Sequence, residues 1–114
     1  MLSKWEIYLC SLDPTIGSEQ MGTRPVLIVS SDAINHNLPV STVLPLSSVD
    51  AEDRIYPTEI RIDPCISGLP KLSVAMVQQV RTVSHKRLTQ MIGKITDVET
   101  QSKVLVAIRS YFDL

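Results

Sequence analysis

The segment Gly22-Thr23-Arg24-Pro25-Val26-Leu27-Ile28-Val29-Ser30 decides the fold, because it leads from a polar loop directly into an apolar strand. Residues 26–30 are mainly apolar and β-branched, which is typical of a buried β-strand. The preceding loop contains two glycines and several polar side chains, as surface loops do. Arg24 therefore lies between a turn and a proline whose fixed φ restricts the backbone. A guanidinium held at the mouth of a strand in this way suits an anionic ligand such as phosphate.

Further strand patterns lie on both sides of this segment. Residues 6–12 alternate loosely, residues 42–46 form a short apolar run, and residues 58–63 alternate strictly between apolar and polar side chains. These patterns predict short, partly buried strands. Residues 73–83 also read as a strand, although the polar pair Gln78-Gln79 interrupts its apolar sequence.

The C-terminal segment changes to a helical period. Residues 97–111 predict one amphipathic helix, because apolar side chains recur there at helical spacing; they are Val98, Val104, Leu105, Ile108, Tyr111 and Phe112. Thr96 and Glu99 match a capping box at its start, and Ser84 predicts the cap of a short helical turn over residues 84–88. Many short strands with one terminal helix predict a mainly β (α+β) fold, in which a small antiparallel sheet curves into a partly open barrel.

Length and composition limit the class of protein. The chain has 114 residues, of which 44% are hydrophobic and 20% charged, so we expect one globular domain spanning residues 1–114. Its apolar runs are far shorter than the ~20 residues that cross a bilayer, and no secretory signal pattern is visible. We therefore expect a cytoplasmic protein without membrane contact. Cys10 and Cys65 have no metal-ligand spacing and are expected to be free thiols.

Charge is distributed unevenly along the chain. The net charge is only −1, but residues 1–70 carry four Lys/Arg and nine Asp/Glu, whereas residues 71–114 carry seven and three. The basic side chains are densest over residues 81–94. This cluster is either a local surface for an anionic ligand or a solvated basic edge, and the charge pattern alone leaves both interpretations open.

Several catalytic motifs are absent from the sequence. It contains no Gly-rich phosphate loop, no Cys-x-x-Cys pair, no His-Glu-x-x-His motif and no nucleophile elbow. Nucleotide hydrolysis, zinc chemistry and serine-hydrolase chemistry therefore have no local support, and we expect neither a metal nor a cofactor. His36 and His85 are expected to be solvated loop histidines, although each could titrate near neutral pH.

Five segments, in one order along nearly the whole chain, resemble the MazF/PemK toxins of bacterial toxin-antitoxin modules. They are Glu6-Ile7-Tyr8-Leu9, the loop 12–20, Gly22-Thr23-Arg24-Pro25-Val26-Leu27-Ile28-Val29-Ser30, Val43-Leu44-Pro45-Leu46-Ser47-Ser48, and residues 73–83. The resemblance implies an SH3-like barrel with a C-terminal helix that forms a homodimer. It also implies a metal-independent endoribonuclease that cuts single-stranded RNA, including mRNA, at a short recognition sequence and leaves a 2′,3′-cyclic phosphate.

The resemblance also assigns roles to individual residues. Arg24 matches the family's catalytic arginine, and Ser47 falls where the family commonly has a threonine and keeps the hydroxyl group. The residues expected to bind RNA are Ser18, Glu19, Ser73, Gln79 and Arg81. Carboxylate and amide groups of this kind can read the edges of unstacked bases. Each also has an ordinary structural alternative, such as a turn residue, a strand-edge residue or, for Arg81, a member of an ion pair.

Two features depart from the family pattern. Trp5 stands where many relatives have a glycine, and its ring could pack in the fold or stack at the rim of the groove. Some branches carry an acidic residue at the position of Gln78 and an arginine at that of Met76, and this pair is assigned acid–base roles there. The present chain lacks that pair, so the resemblance leaves the chemistry to Arg24 and Ser47.

The resemblance implies a further partner. Toxins of this family are neutralised by a cognate, MazE-like antitoxin whose flexible acidic tail covers the RNA groove. Two other functions stay open at the level of sequence. One is a non-nucleolytic toxin of the CcdB, gyrase-poison type, which would act through the end of the C-terminal helix at residues 109–114. The other is an inactive relative.

Overall fold

The computed structural model describes residues 1–114 and contains seven strands, three helices and two 3₁₀ turns. The 3₁₀ turns are Val77–Gln79 and His85–Arg87. In chain order the other elements are β1 (Glu6–Ser11), β2 (Thr23–Ile28), α1 (Asp32–Asn35), β3 (Val40–Ser48), β4 (Glu59–Ile62), α2 (Pro64–Ser67), β5 (Ser73–Met76), β6 (Arg81–Ser84), β7 (Leu88–Lys94) and α3 (Val98–Tyr111).

Every strand pair is antiparallel, and β3 lies at the centre of the sheet. The strand order is β4-β5-β3-β2-β1-β7, and β6 also pairs with β3. The first residues of β3 pair with β6 and its last three pair with β5, while β2 occupies the other edge. The mainly β fold with a C-terminal helix is thereby confirmed. The strand predicted over residues 73–83 is two strands, β5 and β6, separated by the 3₁₀ turn that contains Gln78 and Gln79.

Pro45 is placed where β3 can accept a proline. Thr42 accepts a hydrogen bond from the N–H of Val29, and its own N–H donates to the hydroxyl of Ser30, so its polar backbone groups face β2. Alternation along a strand then directs the nitrogen of Pro45, three residues later, toward the opposite edge. That edge is interrupted there by the 3₁₀ turn Val77–Gln79, so no ladder hydrogen bond is lost.

The apolar run in β2 is buried on both faces of the sheet. Leu27 belongs to the larger of two core clusters, which also contains Val104 of α3. Val26 and Ile28 belong to a smaller cluster on the opposite face, together with Cys10. A strand covered on both faces has no solvent-facing side, so its sequence is continuously apolar rather than alternating.

Helix α3 packs through a narrower face than its sequence pattern predicts. Thr100 and Val104 are buried, and Ala107 and Ile108 pack against the larger core cluster. The predicted helix is confirmed, and the remaining apolar positions of its pattern are partly or largely exposed: Val98, Leu105, Tyr111 and Phe112. The helix rests on the sheet along one stripe of residues separated by three or four positions, so apolar side chains outside that stripe face solvent.

The cap of α3 also differs from the predicted capping box. Asp97, not Thr96, is the N-cap, and its carboxylate accepts hydrogen bonds from the backbone N–H and the hydroxyl of Thr100. The bond from the Thr100 hydroxyl has the larger effect on the pKa of Asp97 and the bond from the Thr100 N–H the next, and both hold this pKa below its ordinary value. The short turn predicted after Ser84 is confirmed as the 3₁₀ turn His85–Arg87, whose Lys86 N–H donates to the Ser84 hydroxyl.

Three elements were not predicted from the sequence. Helices α1 and α2 each have four residues, too few to show a period. Strand β7 has the sequence Leu-Thr-Gln-Met-Ile-Gly-Lys, which does not alternate. It forms because it pairs with β1, and that ladder contains two register shifts, so the pattern of inward and outward residues is broken along the strand.

Trp5 joins the ends of two strands. Its N–H donates to the carbonyl of Ile28, its carbonyl accepts from the N–H of Ile95, and its side chain packs against the larger core cluster. Its φ is 76°, in the left-handed region that favours glycine. The ring therefore packs in the fold, and its burial offsets a backbone conformation that costs ~1–2 kcal/mol for a residue with a Cβ.

The remaining expectations from composition concern the thiols and the membrane. Cys10 is buried and Cys65 is exposed, and the two are not joined in a disulfide. None of the helices has both the length and the apolar character needed to cross a bilayer.

We predict that Gly93→Ala destabilises the fold. A Cβ on Gly93 of β7 would lie 2.5 Å from the backbone carbonyl oxygen of Ser67 in α2, closer than two such atoms can approach. Because the obstacle is backbone, either β7 or α2 must shift, and the free energy of unfolding should fall by ~1–3 kcal/mol. Urea denaturation measures this. Gln90→Ala, at an exposed position of the same strand, is the control and should change stability by about 0.5 kcal/mol or less.

Candidate functional site

Strands β2 and β3 bring Arg24 and Ser47 to one face of the sheet. In the ladder between them Val26 pairs with Pro45. The ladder ends at this pair, and Arg24 and Ser47 each lie two residues beyond it, on the same face as Val26 and Pro45, because residues two apart in a strand share a face. The two residues to which the resemblance assigns catalysis therefore share one face of neighbouring strands, although 22 intervening residues separate them in the chain.

The guanidinium of Arg24 has no acidic partner. Its Nε donates to the carbonyl oxygen of Met21 at 2.8 Å, which orients the group. Neither of the two ion pairs in the chain involves Arg24, and its terminal nitrogens make no hydrogen bond within the protein. A guanidinium that is oriented through one nitrogen and free at the other two can bind two oxygens of a phosphate at once.

Ser47 and Ser73 lie on opposite faces. Ser47 is half-buried, and its hydroxyl has no hydrogen-bond partner in the protein, so it is free to donate to a ligand. Ser73 pairs directly with Ser48, which places it on the other side of the sheet from Ser47. It is 5% exposed and donates to the carbonyl of Lys71. The structure does not bring Ser73 to the face of Arg24, and its contact with RNA stays a prediction.

The loop of residues 12–22 is closed at its base by hydrogen bonds. The N–H of Leu12 donates to the carbonyl of Gly22, and the N–H of Gly22 donates to the carboxylate of Asp13. Gly22 has a φ of 78°, which a residue with a Cβ rarely adopts. The base of the loop is thus fixed immediately before Arg24.

Two arginines of the basic cluster also hold this loop. Arg81 donates from Nη1 to the carbonyl of Leu12 at 3.0 Å, and Arg87 donates from Nη1 to the carbonyls of Ser11 and Asp13. Neither forms an ion pair with a carboxylate, so the ion-pair alternative for Arg81 does not apply. The same two charges lower the pKa of the Cys10 thiol, but burial has the larger effect and raises it.

Gln79 connects the tip of the loop to the sheet. Its Oε1 accepts from the N–H of Gln20 at 3.2 Å, and its Nε2 donates to the carbonyl of Ser18 at 3.1 Å. Glu19 is exposed between them and accepts from the N–H of Ile16. Three of the residues predicted to bind RNA, Ser18, Glu19 and Gln79, are therefore adjacent in the structure.

A pocket of about 170 Å³ opens between the loop and the 3₁₀ turn that precedes β6; we call it the loop pocket. Its lining residues are Glu19, Gln20, Pro45, Gln78, Gln79, Val80 and Arg81. Pro45 lies two residues before Ser47 on the same face of β3, so the pocket continues the surface that carries Arg24. Sequence reasoning did not assign Gln20 or Gln78 to binding; the available signal was the polar pair Gln78-Gln79 within an apolar segment.

The two histidines differ in their exposure. His36 Nε2 lies 2.8 Å from the carbonyl oxygen of Leu2, which attaches the N-terminal residues to α1. His85 Nε2 lies 2.8 Å from the hydroxyl of Ser41, a buried residue. His36 is nevertheless exposed, as expected, whereas His85 is half-buried, so the expectation of a solvated histidine was wrong for His85 alone, whose partner lies 44 residues away in the chain. No group of three or more His, Cys, Asp or Glu side chains lies close enough to hold a metal ion.

Comparison with known proteins identifies the family to which the chain belongs. Residues 3–112 match the family described as the PemK-like, MazF-like toxin of type II toxin-antitoxin systems. The endoribonuclease EndoA of Bacillus subtilis is 33% identical over 104 residues, which cover 91% of this chain and 88% of EndoA. The structure of toxin MazF-mt6 from Mycobacterium tuberculosis is 27% identical, covers 96% of this chain and 97% of its own, and superposes with a TM-score of 0.77.

A third similar structure is an endoribonuclease solved in complex with its cognate antitoxin, from a Mycobacterial species. It is 22% identical, covers 100% of this chain and 97% of its own, and has a TM-score of 0.80, which establishes the shared fold. The chain belongs to the PemK-like, MazF-like toxin family. The resemblance seen in the sequence is confirmed, the protein is an endoribonuclease toxin, and the comparisons do not favour the CcdB-type alternative.

Proposed function

We propose that residues 1–114 act as a single toxin domain that cleaves single-stranded RNA, including mRNA, at a short recognition sequence without a metal ion. One observation carries this proposal. Arg24, a guanidinium without an acidic partner, shares a face of the sheet with Ser47, a hydroxyl without a protein partner, and this face continues into a polar pocket. This arrangement offers charge and hydrogen bonds to a phosphate and polar edges to a neighbouring base.

In this reaction the 2′-hydroxyl of the RNA is the nucleophile. It loses its proton, its oxygen bonds to the adjacent phosphorus, and the bond from phosphorus to the 5′ oxygen breaks as that oxygen gains a proton. The products are a 2′,3′-cyclic phosphate and a 5′-hydroxyl. Arg24 binds two phosphate oxygens and stabilises the negative charge that develops on them, while Ser47 donates a hydrogen bond to the same group.

Arg24 acts by charge stabilisation rather than by proton transfer. Arginine is a poor proton donor, because its delocalised guanidinium holds its protons tightly. It stabilises the charge of the transition state because its guanidinium is already oriented, and the hydrogen bond from Nε to the carbonyl of Met21 provides this orientation. Because the group is oriented before RNA binds, little reorganisation is needed when charge develops.

The toxin works as a homodimer that a MazE-like antitoxin inhibits. Apolar side chains of α3 and the residues that follow it are exposed in the single chain and would be covered by a partner: Val98, Val106, Tyr111, Phe112 and Leu114. The structurally similar mycobacterial endoribonuclease was solved with its antitoxin. An acidic antitoxin segment would place carboxylates near Arg24, where RNA places phosphates.

The first test of the function is Arg24→Ala in the presence of EDTA. The wild-type protein should cleave a long mixed-sequence RNA under these conditions, and the variant should lose at least a hundredfold in rate, because no other cation has its position. The bond to Met21 is exposed, so stability should fall by only about 1 kcal/mol. Mapping the RNA ends gives both the rate and the recognition sequence.

Two further variants serve as controls for this test. Arg24→Lys keeps the charge but lacks the planar fork, and it should recover part of the lost rate. Arg61→Ala removes an exposed arginine of β4 and should cleave like the wild type. Full activity of Arg24→Ala would contradict the assignment, and a requirement for added Mg²⁺ would replace it with a metal-ion mechanism.

A second prediction concerns the hydroxyl of Ser47. Ser47→Ala should slow cleavage by about tenfold to a hundredfold, the effect of losing a hydrogen bond to a charged oxygen. Ser47→Thr retains the hydroxyl and should stay within a few-fold of the wild type. Single-turnover rates measure the chemical step directly, and an unchanged rate for Ser47→Ala would mean that this side chain only fills space.

A third prediction concerns the antitoxin. Because RNA and an acidic antitoxin segment require the same cation, each should exclude the other from the toxin. A competition titration can use RNA in which 2′-O-methyl groups prevent cleavage, and the purified cognate antitoxin. Simultaneous binding of both with unchanged affinities would disprove the shared surface.

A further inference from the structure

The side-chain amide of Gln78 is held in one orientation. Its Nε2 donates to Oε2 of Glu59 at 3.2 Å, and Oε1 of the same carboxylate accepts from the N–H of Tyr56 at 3.0 Å. A carboxylate accepts hydrogen bonds and does not donate them, so the amide cannot be reversed without losing this bond. The Oε1 of Gln78 must therefore be the atom directed away from Glu59.

That oxygen lacks a partner. Oε1 of Gln78 is buried from solvent and accepts no hydrogen bond, and the same is true of Oε1 of Gln20. These are the two buried side-chain polar atoms of the chain without a partner, and both residues line the loop pocket. A buried acceptor without a donor costs free energy, so a water or a ligand that supplies donors to these two side chains is favoured in this pocket.

The side-chain amide of Gln79 does not have an unpaired oxygen of this kind. Its amide already bonds to the loop through both ends, to Gln20 and to Ser18. Gln79 therefore positions the loop, whereas the side-chain oxygen of the neighbouring Gln78 has no hydrogen-bond partner. The loop pocket also has apolar surface from Pro45 and Val80, against which a flat ring can pack.

We propose, on the basis of the function proposed above, that Gln78 and Gln20 read the exocyclic amino group of one base in the RNA. Adenine, cytosine and guanine carry such a group, which donates two hydrogens, and uracil does not. The pocket volume of about 170 Å³ is below the range of pockets for drug-sized ligands and suits one ring system. An amino group has two hydrogens to donate to the two acceptors, whereas the Watson–Crick edge of uracil has one donor, N3–H, and would leave one acceptor unpaired. The base in the loop pocket is therefore an amino base.

The test combines changes in the protein with changes in single atoms of the RNA. Once the cleaved sequence is mapped, each amino base in it is replaced in turn by an analogue that lacks the amino group: purine for adenine, inosine for guanine and pyrimidin-2-one for cytosine. At one position the wild-type kcat/KM should fall by about tenfold to a hundredfold. Gln78→Met should lose a similar factor with the unmodified RNA and lose nothing further with the analogue at that position.

Gln90→Met is the matched control, since Gln90 is exposed on β7 and lies outside the loop pocket. It should discriminate between natural bases and analogues as the wild type does. Glu59→Gln provides a second variant if Gln78→Met does not fold, as thermal melting will reveal. An amide at position 59 both donates and accepts, so the orientation of Gln78 is released and discrimination at the same position should weaken by a few-fold.

The possible outcomes separate the two proposals. Non-additive losses at one position, in Gln78→Met or in Glu59→Gln, support amino-group reading. If the wild-type protein cleaves RNA but the losses from protein and base changes are additive at every position, amino-group reading is wrong and the nuclease assignment stands. If the wild-type protein cleaves no RNA, the proposed function fails and amino-group reading fails with it.

Discussion

The functional surface depends on the hydrogen bonds that Arg81 and Arg87 make to the carbonyls of residues 11–13. Their guanidinium groups reach from β6 and the following 3₁₀ turn to the end of β1, across about 70 residues of sequence. These bonds fix the base of the loop that carries Ser18, Glu19 and Gln20. A loop held at its base by charged donors and at its tip by an amide is ordered before any ligand binds, which reduces the entropy cost of recognition.

The same bonds preserve positive charge near the face of the sheet that carries Arg24. Carbonyl groups orient the guanidinium of Arg81, Arg87 and Arg24 without neutralising them, whereas carboxylate partners would do so. The protein as a whole has a net charge of −1. A chain that is nearly neutral can therefore present a local cationic surface to RNA, because its acidic residues do not pair with these three arginines.

The departure from the acidic residue and arginine of some family branches has a structural counterpart. Met76 is buried in β5, where it packs rather than reacts. Gln78 lies in the loop pocket, with its amide oriented by Glu59. A neutral acceptor stands here in place of a titratable group, which fits the proposed reading of a base by the pocket and the proposal that Arg24 and Ser47 perform the chemistry.

The sequence by itself determined the mainly β class, the terminal helix, the buried strand after Arg24 and the family, because these follow from local patterns and from a motif in fixed order. It did not determine β7, the narrow packing face of α3 or the different hydrogen bonds made by Gln78 and Gln79. Strand β7 forms only by pairing with β1, and α3 buries only the stripe that meets the sheet. The unpaired acceptor of Gln78 depends on Glu59, and the placement of Arg24 and Ser47 on one face depends on the pairing of β2 with β3. Only the tertiary structure decided these features, since each is a relation between residues distant in sequence, and local periodicity carries no information about which distant groups meet.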